Sequence, residues 1–178
     1  MSEDSTAPEE TVWEGRFIAA RKRGKWEYVS RTRGVSAAVI LAVDEGAVLM
    51  VEQFRAPLQA PCLELPAGLI GDDEEGEEAE PAARRELEEE TGYRAERMSD
   101  LGRFHASPGM SSEGFTLLRA EGLSKVGEGG GVAGEDIIVH RVPLAGVEAF
   151  IEGKRRDGCA IDAKLILLLG PSWLGRAD

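Results

Sequence analysis

Runs and alternations of apolar residues divide this chain into strand and helix segments before any single residue is weighed. Val35 to Val43 and Ala47 to Phe54 are two β-rich runs joined by Asp44-Glu45-Gly46. A short polar loop with glycine where positive φ is suited predicts a hairpin. Leu63 to Leu65 predicts a shorter strand stopped by Pro66, and Leu101 to His105, Phe115 to Ala120 and Ile137 to Val142 predict three more. Apolar residues recur at helical spacing in Leu144 to Glu152 and Asp162 to Leu169, and Pro81 to Gly92 predicts a bounded helix between them and the hairpin. Upstream, Trp13, Phe17, Trp26 and Tyr28 lie scattered among basic residues from Val12 to Arg31, a pattern suited to short edge strands. Residues 1–10 are expected as a disordered acidic tail and 11–178 as a single domain. Strands with inserted helices and no regular βαβ alternation give an α+β class, with helices on a mixed β-sheet. Ser124 to Gly134, with glycines at 127, 129, 130, 131 and 134, is expected as a mobile loop.

Composition narrows the partners. Lys and Arg number 21 against 33 Asp and Glu, a formal charge of −12 that repels nucleic acid and anionic membrane. An anionic substrate would therefore need cations to mediate its contact. The N-terminus carries no basic region followed by an apolar stretch, and the longest apolar run, Leu165 to Leu169, is too short to cross a bilayer, so a cytoplasmic protein is expected. Cys62 and Cys159 have no metal-ligand spacing and are expected as thiols without a role.

The chemistry concentrates in Pro81-Ala-Ala-Arg-Arg-Glu-Leu-Glu-Glu-Glu-Thr-Gly92. Pro81 suits the first helical turn and Gly92 the position past the C-terminus. Glu86, Glu89 and Glu90 stand at i, i+3 and i+4 on one face, while Ala83 and Leu87 form an apolar stripe. Carboxylates near a helix C-terminus are disfavoured by roughly 0.3–1 kcal/mol each, so a compensating hard cation with oxygen ligands is the natural partner. A solvated acidic face is the ordinary alternative in so acidic a chain, and the wider spacing overturns it. Gly71, Glu77, Arg85, Glu86, Glu89, Glu90 and Gly92 fall at Gly-x5-Glu-x7-Arg-Glu-U-x-Glu-Glu-x-Gly-U, where U is apolar and Tyr93 takes the last place. Seven fixed positions at background usage coincide by chance on the order of once in 10⁸ starting points.

This pattern resembles the box of the Nudix hydrolases, which split nucleoside diphosphates linked to another moiety. The resemblance implies a Nudix-like α/β/α sandwich with a catalytic loop-helix-loop. It assigns Glu86, Glu89 and Glu90 to Mg²⁺, with Mn²⁺ as a possible substitute, and gives Gly71, Glu77, Arg85 and Gly92 structural parts, Glu77 and Arg85 as an ion pair. Glu64-Leu65-Pro66-Ala67-Gly68 resembles the segment entering the catalytic helix of ADP-ribose pyrophosphatases, where the Ala67 carbonyl would ligate metal. Gly68 stands three residues ahead of the box glycine, read as a three-residue insertion before Glu77. Ser107-Pro108-Gly109 resembles the same subfamily's turn, which implies that Pro108 and Gly109 flank the ribose pocket and that Glu113 meets ribose hydroxyls. Glu135, after the glycine-rich loop, stands where relatives bring a loop glutamate to the metals as ligand or general base. Arg55 in Gln53-Phe54-Arg55 is a candidate for a phosphate, and Trp26 and Tyr28 are candidates for stacking on adenine.

The resemblance implies Mg²⁺-dependent cleavage of ADP-ribose into AMP and ribose 5-phosphate by a homodimer whose N-terminal strands, about 11–34, lie in the dimer contact. Two alternatives stay open: another nucleoside diphosphate sugar, such as GDP-mannose or ADP-glucose, and a non-catalytic ADP-ribose-binding regulator. His105 and His140 are expected as packing or surface residues, because magnesium prefers oxygen.

Overall fold

The computed structural model describes residues 4, 6–32, 34–71, 78–132 and 134–174. Glu77 and the six-residue stretch it closes, including the insertion, lie outside the described residues. Three strands, β1 (Glu9–Glu14), β2 (Ile18–Arg23) and β3 (Trp26–Arg31), form a small antiparallel sheet in the aromatic and basic segment. β1 starts two residues inside the expected tail, because Glu9 and Glu10 pair with Arg23 and Lys22 across the ladder.

The hairpin forms as β4 (Ser36–Asp44) and β5 (Ala47–Arg55), with Glu45 at φ 47° and Gly46 at φ 72°. Two central residues at positive φ make the tight turn that matches strand twist. The two strands pair with each other only at Val43–Val48 and Asp44–Ala47. Beyond these pairs they part. β4 takes β7 (Ala67–Ile70) antiparallel and β9 (Gly114–Lys125) parallel, whereas β5 takes β6 (Ala60–Glu64) and β10 (Ile138–Pro143), both antiparallel. β8 (Tyr93–His105) lies outside β9, and β11 (Ala160–Ile161) runs parallel to β6. β8 begins eight residues before the strand expected at Leu101. It is an edge strand with few apolar residues, so hydrophobic alternation does not reveal its first half.

Alternation along β4 and β5 builds two cores. Ala38, Ile40, Ala42 and Leu49 face Ala83 and Leu87 of α1 (Ala79–Thr91), while Val39, Val48 and Met50 face the other way. There they meet Val147 and Ile151 of α2 (Val147–Arg156), together with Leu165 and Leu169 at and within α3 (Ile166–Leu174). Helices on both faces of a mixed sheet are the α/β/α sandwich expected from the sequence. Among the described residues no helix is long and apolar enough to cross a membrane.

Candidate active site

The parting of β4 and β5 opens a cavity of about 660 Å³ between the two layers, its wall drawn from β4 to β7, β9, α1 and the turn after β11. That volume falls in the range of small-molecule sites, about 300–1,000 Å³.

Helix α1 presents the acidic wall. Its N-terminal turn contains Pro81, and Gly92 closes it at φ 72°, donating to the Glu88 carbonyl. Glu86 and Glu90 line the cavity, one turn apart, while Glu89 stands outside it and accepts from Arg85 at 3.3 Å. Arg85 also donates to Glu86 at 2.9 Å. Glu90 is 6% exposed and accepts the Ala67 N–H at 3.0 Å. Burial pushes its carboxyl up to about 8; the Ala67 bond opposes this, and the Glu86 and Glu135 charges add to it. Burial likewise raises Glu86, opposed by Arg85 and reinforced by Glu89 and Glu135. Gly68 is essential to this packing, since a Cβ there would lie 2.0 Å from Glu86 Cδ. The glycine that seemed displaced from the box is thus the seat of Glu86, the first of its three helix carboxylates.

Glu135 reaches the same cavity from the glycine-rich segment. That segment is not free-standing. Gly130 and Gly131 donate to the carbonyls of Glu90 and Glu89 at 2.8 and 3.0 Å, and Val126 and Gly127 donate to Gly92. The last carbonyls of α1 have no helical donors, and no basic residue in its last turn answers them, so the strap supplies the missing N–H groups. A Cβ on Gly129 would sit 2.4 Å from the Thr91 carbonyl carbon, which explains glycine at this crossing. Glu135 is fixed in turn by accepting the Val132 N–H at 2.9 Å.

The other expected residues divide. Arg55 lines the cavity with its fork held by Glu64, at 2.6 and 2.9 Å. Glu64 is 6% exposed, and nothing in its sequence context marks it as the partner of Arg55. Glu113 lines the cavity and accepts from Arg31 of β3 at 2.6 Å. Trp26 and Tyr28 do not line this chain's cavity: strand alternation puts them on the face opposite Arg31, where the Tyr28 hydroxyl donates to Glu9. Pro108 and Gly109 are also outside it. Their turn instead docks β3, with Val29 donating to Met110 O and Ser112 to Val29 O, both at 2.9 Å. Ala67 lines the cavity, Gly71 adopts φ 81°, and Glu77 is not described. His140 meets Glu52 at 2.8 Å and His105 the Glu113 carbonyl, so each has a structural partner.

Among the described residues no three His, Cys, Asp or Glu side chains converge closely enough to hold an ion, since Arg85 draws Glu86 and Glu89 towards itself. The donor set nevertheless fits a hard divalent cation. Glu86, Glu90 and Glu135 are oxygen donors lining one cavity, the buried Glu86 and Glu90 gain from any added positive charge, and release of Arg85 frees two of the helix carboxylates.

A family model for the NUDIX domain matches residues 32–128. The ADP-ribose pyrophosphatase of Bacillus subtilis (strain 168) is 38% identical over 135 residues, 71% of this chain and 70% of that protein. The methanol dehydrogenase activator of Bacillus methanolicus is 37% identical over 166 residues, 87% of this chain and 86% of that protein. A crystal structure of an ADP compounds hydrolase superposes with a TM-score of 0.68 at 21% identity, covering 96% of this chain and 95% of its own; that likeness is one of fold.

Proposed function

The chain belongs to the Nudix family of hydrolases, and on that premise we propose that it cleaves the pyrophosphate of ADP-ribose to AMP and ribose 5-phosphate with Mg²⁺. The observation that carries the reading is the meeting of Glu86 and Glu90, from the box helix, with Glu135, from the strap, in one cavity. Glu86, Glu89, Glu90 and the Ala67 carbonyl would hold the metal, with Mn²⁺ able to replace it. Bound there, it would supply positive charge to the diphosphate and acidify water. Glu135, tethered at the end of the strap, is the candidate to accept the proton of the attacking water. Arg55 would present its remaining edge to a phosphate, and Glu113 would accept from ribose hydroxyls. The likeness to the B. subtilis enzyme supports ADP-ribose among the nucleoside diphosphate sugars. Homodimerisation through the N-terminal sheet belongs to the same proposal, supported by the exposure of Val12, Trp13, Phe17 and Trp26 on that sheet.

A second reading, regulation of another enzyme, draws on the likeness to the methanol dehydrogenase activator. The complete set of Glu86, Glu89 and Glu90 supports hydrolysis instead. Purified protein incubated with ADP-ribose, ADP-glucose, GDP-mannose and NADH, with Mg²⁺ or with EDTA, tests both. Metal-dependent AMP and ribose 5-phosphate from ADP-ribose is expected. Faster cleavage of another compound would overturn the substrate, and no turnover of any would overturn hydrolysis.

A further inference from the structure

Asp162 and Lys164 have no part in the site so far described, yet both line its cavity. They arrive from the layer opposite α1. The Asp162 N–H donates to the Leu63 carbonyl at 3.0 Å, which fixes the end of β11 beside β6 and Glu64. Asp162 then caps the 3-10 turn Ala163–Leu165: one carboxylate oxygen accepts the Lys164 N–H at 2.7 Å, and the other accepts Lys164 Nζ at 2.6 Å. The ammonium lies 5.8 Å from the Phe115 ring centre, with its side chain 21% exposed. A lysine serving only solubility would extend into water. This one is folded back over an aromatic wall of the cavity.

The remaining cations explain why it matters. Arg55 gives two donors to Glu64, Arg31 is paired with Glu113, and Arg85 is paired with Glu86 and Glu89. Lys164 has three N–H donors, one of them on Asp162, and among the described residues no second acceptor meets it. A diphosphate held at the acidic wall through a cation still carries negative oxygens towards the other layer. A compact ammonium with donors to give is the side chain that answers them.

We propose that Lys164 is a substrate-binding residue that donates to a phosphate oxygen of the diphosphate, with Asp162 and Phe115 as the residues that position its ammonium. The inference rests on the pyrophosphatase reading for its substrate class. It assigns to the turn after β11 a role that the box and its helix do not include.

The test compares wild type with Lys164→Met, Lys164→Arg and Asp162→Asn. Calorimetry in Mg²⁺ measures binding of inorganic pyrophosphate and of α,β-methylene ADP-ribose, whose bridge water cannot cleave, and steady-state kinetics on ADP-ribose with Mg²⁺ separate KM from kcat. A charge-assisted hydrogen bond predicts that Lys164→Met weakens both ligands and raises KM by about tenfold or more, with kcat held within about threefold. Lys164→Arg should recover most of the loss, and Asp162→Asn should fall between. Pyrophosphate affinity unchanged in Lys164→Met would overturn the proposal, as would a wild type that does not bind pyrophosphate. Because that arm needs neither a nucleotide nor turnover, it reports on Lys164 even if ADP-ribose proves not to be the substrate.

Discussion

Replacing Glu52 by Gln should uncouple helix α2 from the sheet, and the structure sets both the size and the pH dependence of the loss. Glu52 on β5 accepts from Lys154 of α2 at 2.6 Å and meets His140 Nε2 of β10 at 2.8 Å. The three side chains are 13%, 24% and 17% exposed, and Phe150 of α2 packs on both the histidine and the lysine. Removing one partner of a fully buried pair costs about 3–5 kcal/mol, and a hydrogen bond to a charged group is worth about 1.5–3. Partial exposure places Glu52→Gln near 2 kcal/mol, or roughly 4–8 °C in Tm for a chain of this size. Burial, the largest single influence on Glu52, raises its carboxyl, but the bonds from Lys154 and His140 together outweigh it, so the group ends below its ordinary value of 4.5. A carboxylate depressed in the folded state binds fewer protons there than in the unfolded chain. Its contribution is therefore complete above about pH 4.5 and is lost as pH falls through the folded value. Urea titrations of wild type and Glu52→Gln should differ by about 2 kcal/mol at pH 7, with equal m, and the gap should shrink steadily as the pH is lowered below the ordinary carboxylate value. A gap that is absent at pH 7, or that persists undiminished in acid, would refute the assignment of stability to this network.

Three further substitutions or reactions probe the site. Glu90→Gln should abolish Mg²⁺-dependent turnover while leaving the fold intact, because the amide oxygen can still accept the Ala67 N–H; wild-type activity in a folded variant would sink the metal assignment. Gly129→Ala should lower stability by about 1–3 kcal/mol and reduce kcat, since its residue sits at φ 72° against Thr91 and its strap carries Glu135; an unaffected melt would remove the strap from the account. Cys62, pushed up to about 12 chiefly by burial, should resist iodoacetamide in the native protein at pH 8 and react in urea, as read by mass spectrometry.

How much of this was legible in the sequence depends on whether the signal was an identity or a geometry. The box is a pattern of identities, so Glu86, Glu89 and Glu90 and the bounded helix were found at once. Their division was not, because Arg85 takes Glu89 to the rim by a contact that spacing alone cannot rank. Core faces of β4 and β5 followed from alternation, whereas the first half of β8 is polar on an edge and left no period to read. Trp26 and Arg31 show the limit plainly. A five-residue offset in a strand sends two side chains to opposite faces, and only the register against Ser111 decides which face meets the cavity.

The glycine-rich segment carries a second meaning that its composition does not announce, and it bears on function. Glycine usually signals freedom, yet here it permits contact: a helix that ends in acidic residues with no basic side chain in its last turn leaves its carbonyls in need of donors. Sequence does contain that deficit, in Glu88-Glu89-Glu90-Thr91-Gly92, and the answering run of glycines lies 35 to 39 residues further on from Gly92 counted to Gly127 and Gly131. The N–H groups of Gly130 and Gly131 bind the backbone of Glu90 and Glu89 themselves. Glu135, the loop glutamate expected at the metals, is therefore carried by a segment tied to the same helix end that presents the other carboxylates. Any motion of Glu135 towards substrate must break the bonds that Gly130 and Gly131 give to Glu90 and Glu89, or the one that Val132 gives to the Glu135 carboxylate itself.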